Sequence, residues 1–305
     1  MSAVLAQLVR SGLVESTHSG QLILLNADGS ALLSLGDVDA EMYPRSSIKS
    51  LQAAAMVRLG LNLSDEQLAL VCASHGGTDR HQEVALEILH SVNLAESDLQ
   101  NTPDRPTDRK ARIAWGVKPA SSLAANCSGK HAGMLATCVL NGWDTKSYRS
   151  ADHPLQIAIA KEITELTGQP INRISIDGCG APLFTMSVRS IAVAARKMRI
   201  AADPVFATVI NACLKHPEMI LAEGALDTRF MRSVPGLLVK GGAESVMLAS
   251  LEDGRAIAWK ISDGGNRASA PLLKAALAKF GIKVEGETVD VLGGGTVVGS
   301  LSATF

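Results

Sequence analysis

Ser46 stands three residues before Lys49 in the run MYPRSSIKSLQA (Met42 to Ala53), just past an X-Pro break. At a helix start, positions i and i+3 share one face, so the lysine amine can take the hydroxyl proton and turn Ser46 into a nucleophile. About one Ser-x-x-Lys is expected by composition in a chain of this kind. The spacing alone therefore does not separate a nucleophile and its base from a capped first turn with a solvated lysine. A second group lies in ANCSGKHAGMLATCVLNGW, a helix closed by Asn141-Gly142, where Cys127, Lys130, His131 and Met134 fall at i, i+3, i+4 and i+7. A thiol, an amine and an imidazole on one face are unusual for a core stripe, while Met134 fits the core. RISIDGCGAP reads as a strand ending in Asp177-Gly178-Cys179-Gly180, with Pro182 opening a following helix. Two cysteines beside an amine or imidazole suit a tetrahedral zinc ion. A reactive thiol and plain buried cysteines are the other readings.

The elements that must hold these residues follow from periodicity. QLILLNADGSALLSL predicts an antiparallel hairpin turning at Asn26 to Ser30, and SVMLASLEDGRAIAWKIS predicts another turning at Asp253-Gly254. Paired side by side, the two hairpins form one sheet built from both chain ends. Between them, a helix runs from Ser46 to about Leu59, and Ser64 with Gln67 forms a capping box. Asp152-His-Pro154, Asp203-Pro204 and His216-Pro217 open further helices. RASAPLLKAALAKFGI is a late helix, and the glycine triplet of VDVLGGGTVVGSLSA separates two last strands. The stretch from Leu99 to Arg112 reads as a surface connection. The expected architecture is a single α/β (α+β) domain. Residues of about 1–60 and 235–305 supply an antiparallel sheet flanked by helices, and about 61–234 form a mainly helical part. Serine β-lactamases and penicillin-binding proteins share that arrangement and place Ser-x-x-Lys at a helix start. Their Ser-Asp-Asn is absent here, and their Lys-Thr-Gly strand is only echoed, by Lys240 to Ser245 of VKGGAES.

Composition narrows the function. The chain of 305 residues is 47% hydrophobic and 19% charged with a net charge of -1, which leaves no electrostatic footprint for nucleic acid or an acidic membrane. Its apolar runs are too short to span a bilayer, and its N-terminus lacks a basic region with a cleavage site, so a cytoplasmic protein is expected. Five cysteines, an odd number, do not make a disulfide framework. His18, His81, His90, His153 and His216 sit at turns or helix ends, where structural roles prevail.

VESTHSG, YPRSSIKSLQA, CASH, NCSGKHAGML, DGCGAP and KISDGGNRA occur in this order. Together they resemble the asparaginase II family, the Rhizobium-type or class 3 L-asparaginases, over roughly residue 14 to the end. CSGKHAGM and DGCG are specific in combination, whereas a lone Ser-x-x-Lys is not. The resemblance implies a fold like that of serine β-lactamases, a homodimer, and hydrolysis of the side-chain amide of L-asparagine to aspartate and ammonia. It matches Ser46 and Lys49 to a nucleophile and its base, and Ser74 with Lys260 to a second such pair. It matches Cys127, Lys130 and Cys179 to a zinc site with a lysine ligand, and Arg45, His131 and Asp177 to the substrate pocket. The sequence departs from the family at Gly76-Gly77-Thr78, where Ser-Gly-Glu is usual, and at Ser50, where proline is usual.

On that footing Lys49, pushed toward neutrality by burial and by Lys260 or Arg45, deprotonates Ser46. Ser74 with Lys260 relays the proton to ammonia, leaving an aspartyl ester that water hydrolyses. Asp177 is then expected to take the substrate's α-ammonium and Arg45 its carboxylate. Zinc would orient the substrate or tie the Cys127 helix to the Cys179 strand end, binding less tightly as pH falls. The alternatives are another acyl-serine amidohydrolase on the same fold, glutaminase-like or penicillin-recognising, and a non-catalytic zinc or thiol protein.

Overall fold

The computed structural model describes residues 1–305. Its main sheet has eight antiparallel strands, all drawn from residues 3–35 and 238–303. Ala3–Arg10, Leu13–Leu25 and Ala31–Leu35 come from the first part; Leu238–Gly242, Val246–Ser250, Ala256–Ile261, Val289–Gly293 and Thr296–Ala303 come from the second. The two expected hairpins are present and meet in register, with Trp259 opposite Leu22 and Ala258 opposite Ile23. Leu8 is paired with Leu301 in the same sheet, and both are buried. The chain ends thus bury each other's apolar faces, as an α+β architecture with a helix-flanked antiparallel sheet requires.

Along Val246–Ser250 every residue is buried, and along Ala256–Ile261 every residue but Lys260 is at least as deeply covered. Burial without alternation means that helices cover both faces of the sheet centre. The helix Val188–Ile200 packs on the central strands, and Ser269–Lys279 packs on Thr296–Ala303 and Ala3–Arg10. One continuous apolar cluster joins the sheet to the helices between residues 49 and 233. No helix is long and apolar enough to cross a membrane.

Local differences from the expected elements have simple causes. Ala3–Arg10, unassigned on sequence, is a strand because Ser11 and Gly12, both at positive φ, turn it straight into Leu13–Leu25. Pro182 opens no helix. Gly180, at φ +84, reverses the chain so that Pro182–Phe184 pairs with Ile174–Ile176, and the imide nitrogen stands at the first strand position, where no ladder bond is lost. The Leu99 to Arg112 connection ends in a short helix, Arg109–Trp115, capped by Asp108. The Ser64–Gln67 capping box is formed as expected.

Candidate active site

Ser46 lies not in the α-helix but in the 3₁₀ turn Arg45–Ile48 that leads into the helix Lys49–Arg58. In a 3₁₀ turn residues i and i+3 eclipse one another, which brings Ser46 and Lys49 onto a common edge more directly than an α-turn would. The turn is entered through Arg45 at φ +52, a left-handed conformation that non-glycine residues seldom hold. Its guanidinium Nε donates to Asp177 Oδ1 at 2.8 Å, which fixes the strained residue to the loop bearing Cys179. Strand Leu238–Gly242 passes so close to the turn that a Cβ on Gly242 would lie 2.8 Å from the Ser47 nitrogen, so only glycine fits there.

Lys49 is buried to 2% exposure, and its Nζ donates to the Ala73 carbonyl; no hydrogen bond joins it to Ser46. Burial lowers its pKa to about 7, the thiols of Cys127 and Cys179 oppose this, and the ammonium groups of Lys130 and Lys240 reinforce it. These two, rather than Lys260 or Arg45, are the cations that act on Lys49. A lysine poised near neutrality beside a serine can accept its proton, and catalytic contacts of this kind often tighten only when substrate is bound.

Ala73 leads directly to Ser74, whose hydroxyl receives a hydrogen bond from Lys240 Nζ at 3.1 Å. The lysine beside Ser74 is therefore Lys240, which corrects the expectation of Lys260. Strand order explains the difference: Leu238–Gly242 is the edge strand next to the Ser46 turn, whereas Ala256–Ile261 lies two strands further in. Lys260 Nζ instead donates to the carbonyls of Glu244 and Ile261, each at 2.6 Å. Glu244 and Ser245 both have positive φ, so Lys260 braces a strained turn. Burial lowers the pKa of Lys240 as well, so a second serine and lysine pair stands one residue beyond the carbonyl that holds Lys49. The sequence signal for Lys240 was the Lys240-Gly241-Gly242 echo of Lys-Thr-Gly.

Cys127 stands at the residue just before the helix Ser128–Leu140, and Cys179 reaches it from the turn after Ile174–Ile176. Cys127 Sγ, a His131 ring nitrogen and Cys179 Sγ all lie within 4.8 Å of one another, and Lys130 Nζ donates to Cys179 Sγ at 3.2 Å. The thiol of Cys127 donating to Cys179, with Lys130 and His131 beside it, drives the Cys179 pKa down, and the same contact with burial drives Cys127 up. Burial works to lower Lys130, but the two sulfurs outweigh it and raise its pKa. His131 is fully buried and lines neither of the cavities beside Ser46, so it stands behind the sulfurs and not in the pocket wall where it was expected. Its Nδ1 is hydrogen-bonded to the Tyr148 hydroxyl at 2.7 Å, while its Nε2 is buried without a partner. Two sulfurs, an amine and an orphaned imidazole nitrogen are a donor set that fits a borderline-soft ion such as zinc.

Ser46 sits where two cavities meet, and Asn126 and Ala243 share that boundary. The first, about 300 Å³, is charged, with Arg45, Lys49, Lys130 and Asp177 in its wall. Thr102, Pro103 and Asp104 close it, and Thr102 Oγ1 donates to the Gly178 carbonyl, so the Leu99 to Arg112 segment is part of the site as well as a connection. The second cavity, about 400 Å³, holds Ser74 and a mainly apolar wall. Asn126 and Ala243 fall inside the NCSGKHAGML and VKGGAES stretches without being singled out there, and Thr102 lies in the segment that reads on sequence only as a surface connection.

A family profile describing L-asparaginase II matches residues 6–299. No curated protein matches the chain. Among solved structures, Mglu in its native form aligns with TM-score 0.47 and 12% identity, covering 88% of this chain and 65% of that one. The chain thus spans just under two thirds of the length of Mglu. A putative β-lactamase from Bacteroides dorei DSM 17855 aligns with TM-score 0.46 and 13% identity, covering 85% of this chain and 92% of that one. A β-lactamase from Mycobacterium bovis aligns with TM-score 0.39 and 12% identity, covering 86% and 95%.

Proposed function

Because the chain belongs to the L-asparaginase II family, we propose that it hydrolyses the side-chain amide of L-asparagine to L-aspartate and ammonia with Ser46 as nucleophile. The observation that carries this reading is Lys49, buried, near neutral in pKa and one 3₁₀ turn from a serine at the junction of two cavities. Burying an amine costs several kcal/mol of solvation, and a site that needs a base is a reason to keep one there.

In this mechanism neutral Lys49 takes the Ser46 proton as Oγ attacks the side-chain carbonyl carbon. The C–N bond breaks, and Ser74 with Lys240 delivers the proton to the departing nitrogen. Water then attacks the aspartyl ester, giving its proton back along the same path and restoring the Ser46 hydroxyl. Arg45 and Asp177 present opposite charges side by side in the charged cavity, the pattern that receives the carboxylate and ammonium of a free amino acid. Cys127, Lys130 and Cys179, with His131 behind them, would hold zinc. The ion would supply electrostatic orientation of the substrate and a tie between the Ser128–Leu140 helix and the Cys179 turn.

Ammonia release from L-asparagine and L-glutamine tests this reading and also decides between the two lysines. Lys240→Met is expected to lower kcat for asparagine by about 10²–10³-fold, while Lys260→Met, which loosens the Glu244 turn, costs less than about tenfold. Release from glutamine and not asparagine would instead make the chain a glutaminase, and a larger loss at Lys260 would return the relay to that residue. The metal site has its own check. Wild type is expected to retain one zinc ion against a chromogenic chelator, and Cys127→Ser is expected to weaken retention at least about 100-fold; unchanged retention would refute the assignment.

A further inference from the structure

The second cavity is larger than release of ammonia requires. It is about 400 Å³, it adjoins Ser46, and Leu221, Leu226, Val246 and Met247 give it an apolar patch beside the polar Thr107 and Asn266. Its acid, Asp227, is buried and occupied in accepting the Gly241 N–H at 2.9 Å. The charged groups suited to an amino-acid head, Arg45 and Asp177, lie in the other cavity. Ser74, the hydroxyl held by Lys240, opens on the apolar side. A substrate whose head pairs with Arg45 and Asp177 and whose carbonyl carbon meets Ser46 therefore turns its leaving nitrogen toward Ser74, and a substituent on that nitrogen projects into the apolar cavity. Apolar walls stabilise a hydrocarbon group by about 25 cal/mol for each Å² removed from water, and they do nothing for ammonia.

We propose that the site also hydrolyses secondary side-chain amides of L-aspartate, in which the nitrogen carries an alkyl or aryl group that fills this second cavity. The inference rests on the proposed assignment of Ser46 and of the amino-acid head site. The chemistry is the same as for asparagine: Ser46 Oγ bonds to the carbonyl carbon, the C–N bond breaks, and the nitrogen leaves as a primary amine after receiving one proton. Water then cleaves the ester, so that the amide and one water give aspartate and the amine.

The test compares L-asparagine, its N⁴-methyl and N⁴-butyl derivatives and L-aspartate β-anilide, with aspartate formation as the common readout. Wild type is expected to hydrolyse the butyl amide with kcat/KM within about tenfold of L-asparagine, and the butyl amide better than the methyl amide as the apolar contact grows. Leu226→Trp, at a partly buried position where the cavity wall meets the core, is expected to lower the butyl value at least tenfold and the asparagine value less than threefold. Leu221→Trp is the second variant, and its asparagine activity reports that the fold is intact. Hydrolysis of asparagine without any of the substituted amides overturns this proposal and leaves the asparaginase reading in place. Hydrolysis of none overturns both. Equal losses on asparagine and butyl amide in both variants show that the cavity does not hold the substituent.

Discussion

Ser46→Ala is expected to lower ammonia release from L-asparagine by at least about 10⁴-fold, the scale on which loss of a covalent nucleophile acts. Ser46 is half-buried and lies at the junction of both cavities, so on the proposed mechanism its truncation leaves the Arg45 and Asp177 pair intact and removes the group that forms the ester. Substrate binding, followed by calorimetry, is accordingly expected to stay within a few-fold of wild type. The variant is also expected to fold normally, because Ser47, and not Ser46, makes the hydrogen bond that closes the turn on Pro44. Full activity in the variant would move the chemistry to the sulfur and lysine cluster.

Lys49→Met is expected to separate activity from stability. If Lys49 is the general base as proposed, its loss is expected to lower kcat by about 10³-fold or more and to remove a limb of the pH profile on which wild-type kcat/KM is expected to rise through about pH 7 as Lys49 gives up its proton. Stability moves the other way. The unfolded chain holds this proton up to 10.5 and the native state releases it near 7, so between those values the unfolded state binds more protons and stability rises with pH. The penalty for burying the ammonium is absent above 10.5, grows as pH falls and is complete below about 7. At about 1.4 kcal/mol per pH unit, the interval from 10.5 to 7 sets an upper limit of about 5 kcal/mol. Methionine escapes the penalty but leaves the Ala73 carbonyl without its donor, which returns about 1–3 kcal/mol. A net gain at pH 7, of at most about 2–4 kcal/mol, is expected in urea unfolding. A variant less stable than wild type would show that the contacts of Lys49 outweigh its burial penalty, and an unchanged kcat would show that it is not the base.

Much of the fold follows from local patterns, because the site is carried by elements whose ends are chemically marked. Asn26 to Ser30 and Asp253-Gly254 announce the hairpins, Ser64 and Gln67 a helix start, and Asn141-Gly142 the end of the helix that carries Cys127, Lys130 and His131. What local pattern does not encode is the order of strands in the sheet. Lys240 and Lys260 both sit in apolar strands near the end of the chain. Only the arrangement that puts Leu238–Gly242 at the edge, against the Ser46 turn, decides that Lys240 meets Ser74. His131 illustrates a related limit. Helical spacing places it on the face with Cys127, but its depth depends on Tyr148, whose hydroxyl reaches its ring from a separate loop. The walls of the two cavities draw Thr102 from a segment that reads as a connection, Asn126 from just before a helix and Ala243 from just after a strand, and these converge only after the sheet has closed.

The most direct test of the account is to quench wild-type enzyme with acid during turnover of L-asparagine and map the covalent adduct by mass spectrometry. An aspartyl group attached to the peptide that contains Ser46, and absent from the Ser46→Ala variant, is the predicted result. Turnover with no adduct at Ser46, or with the acyl group on Ser74, Cys127 or Cys179, would contradict it.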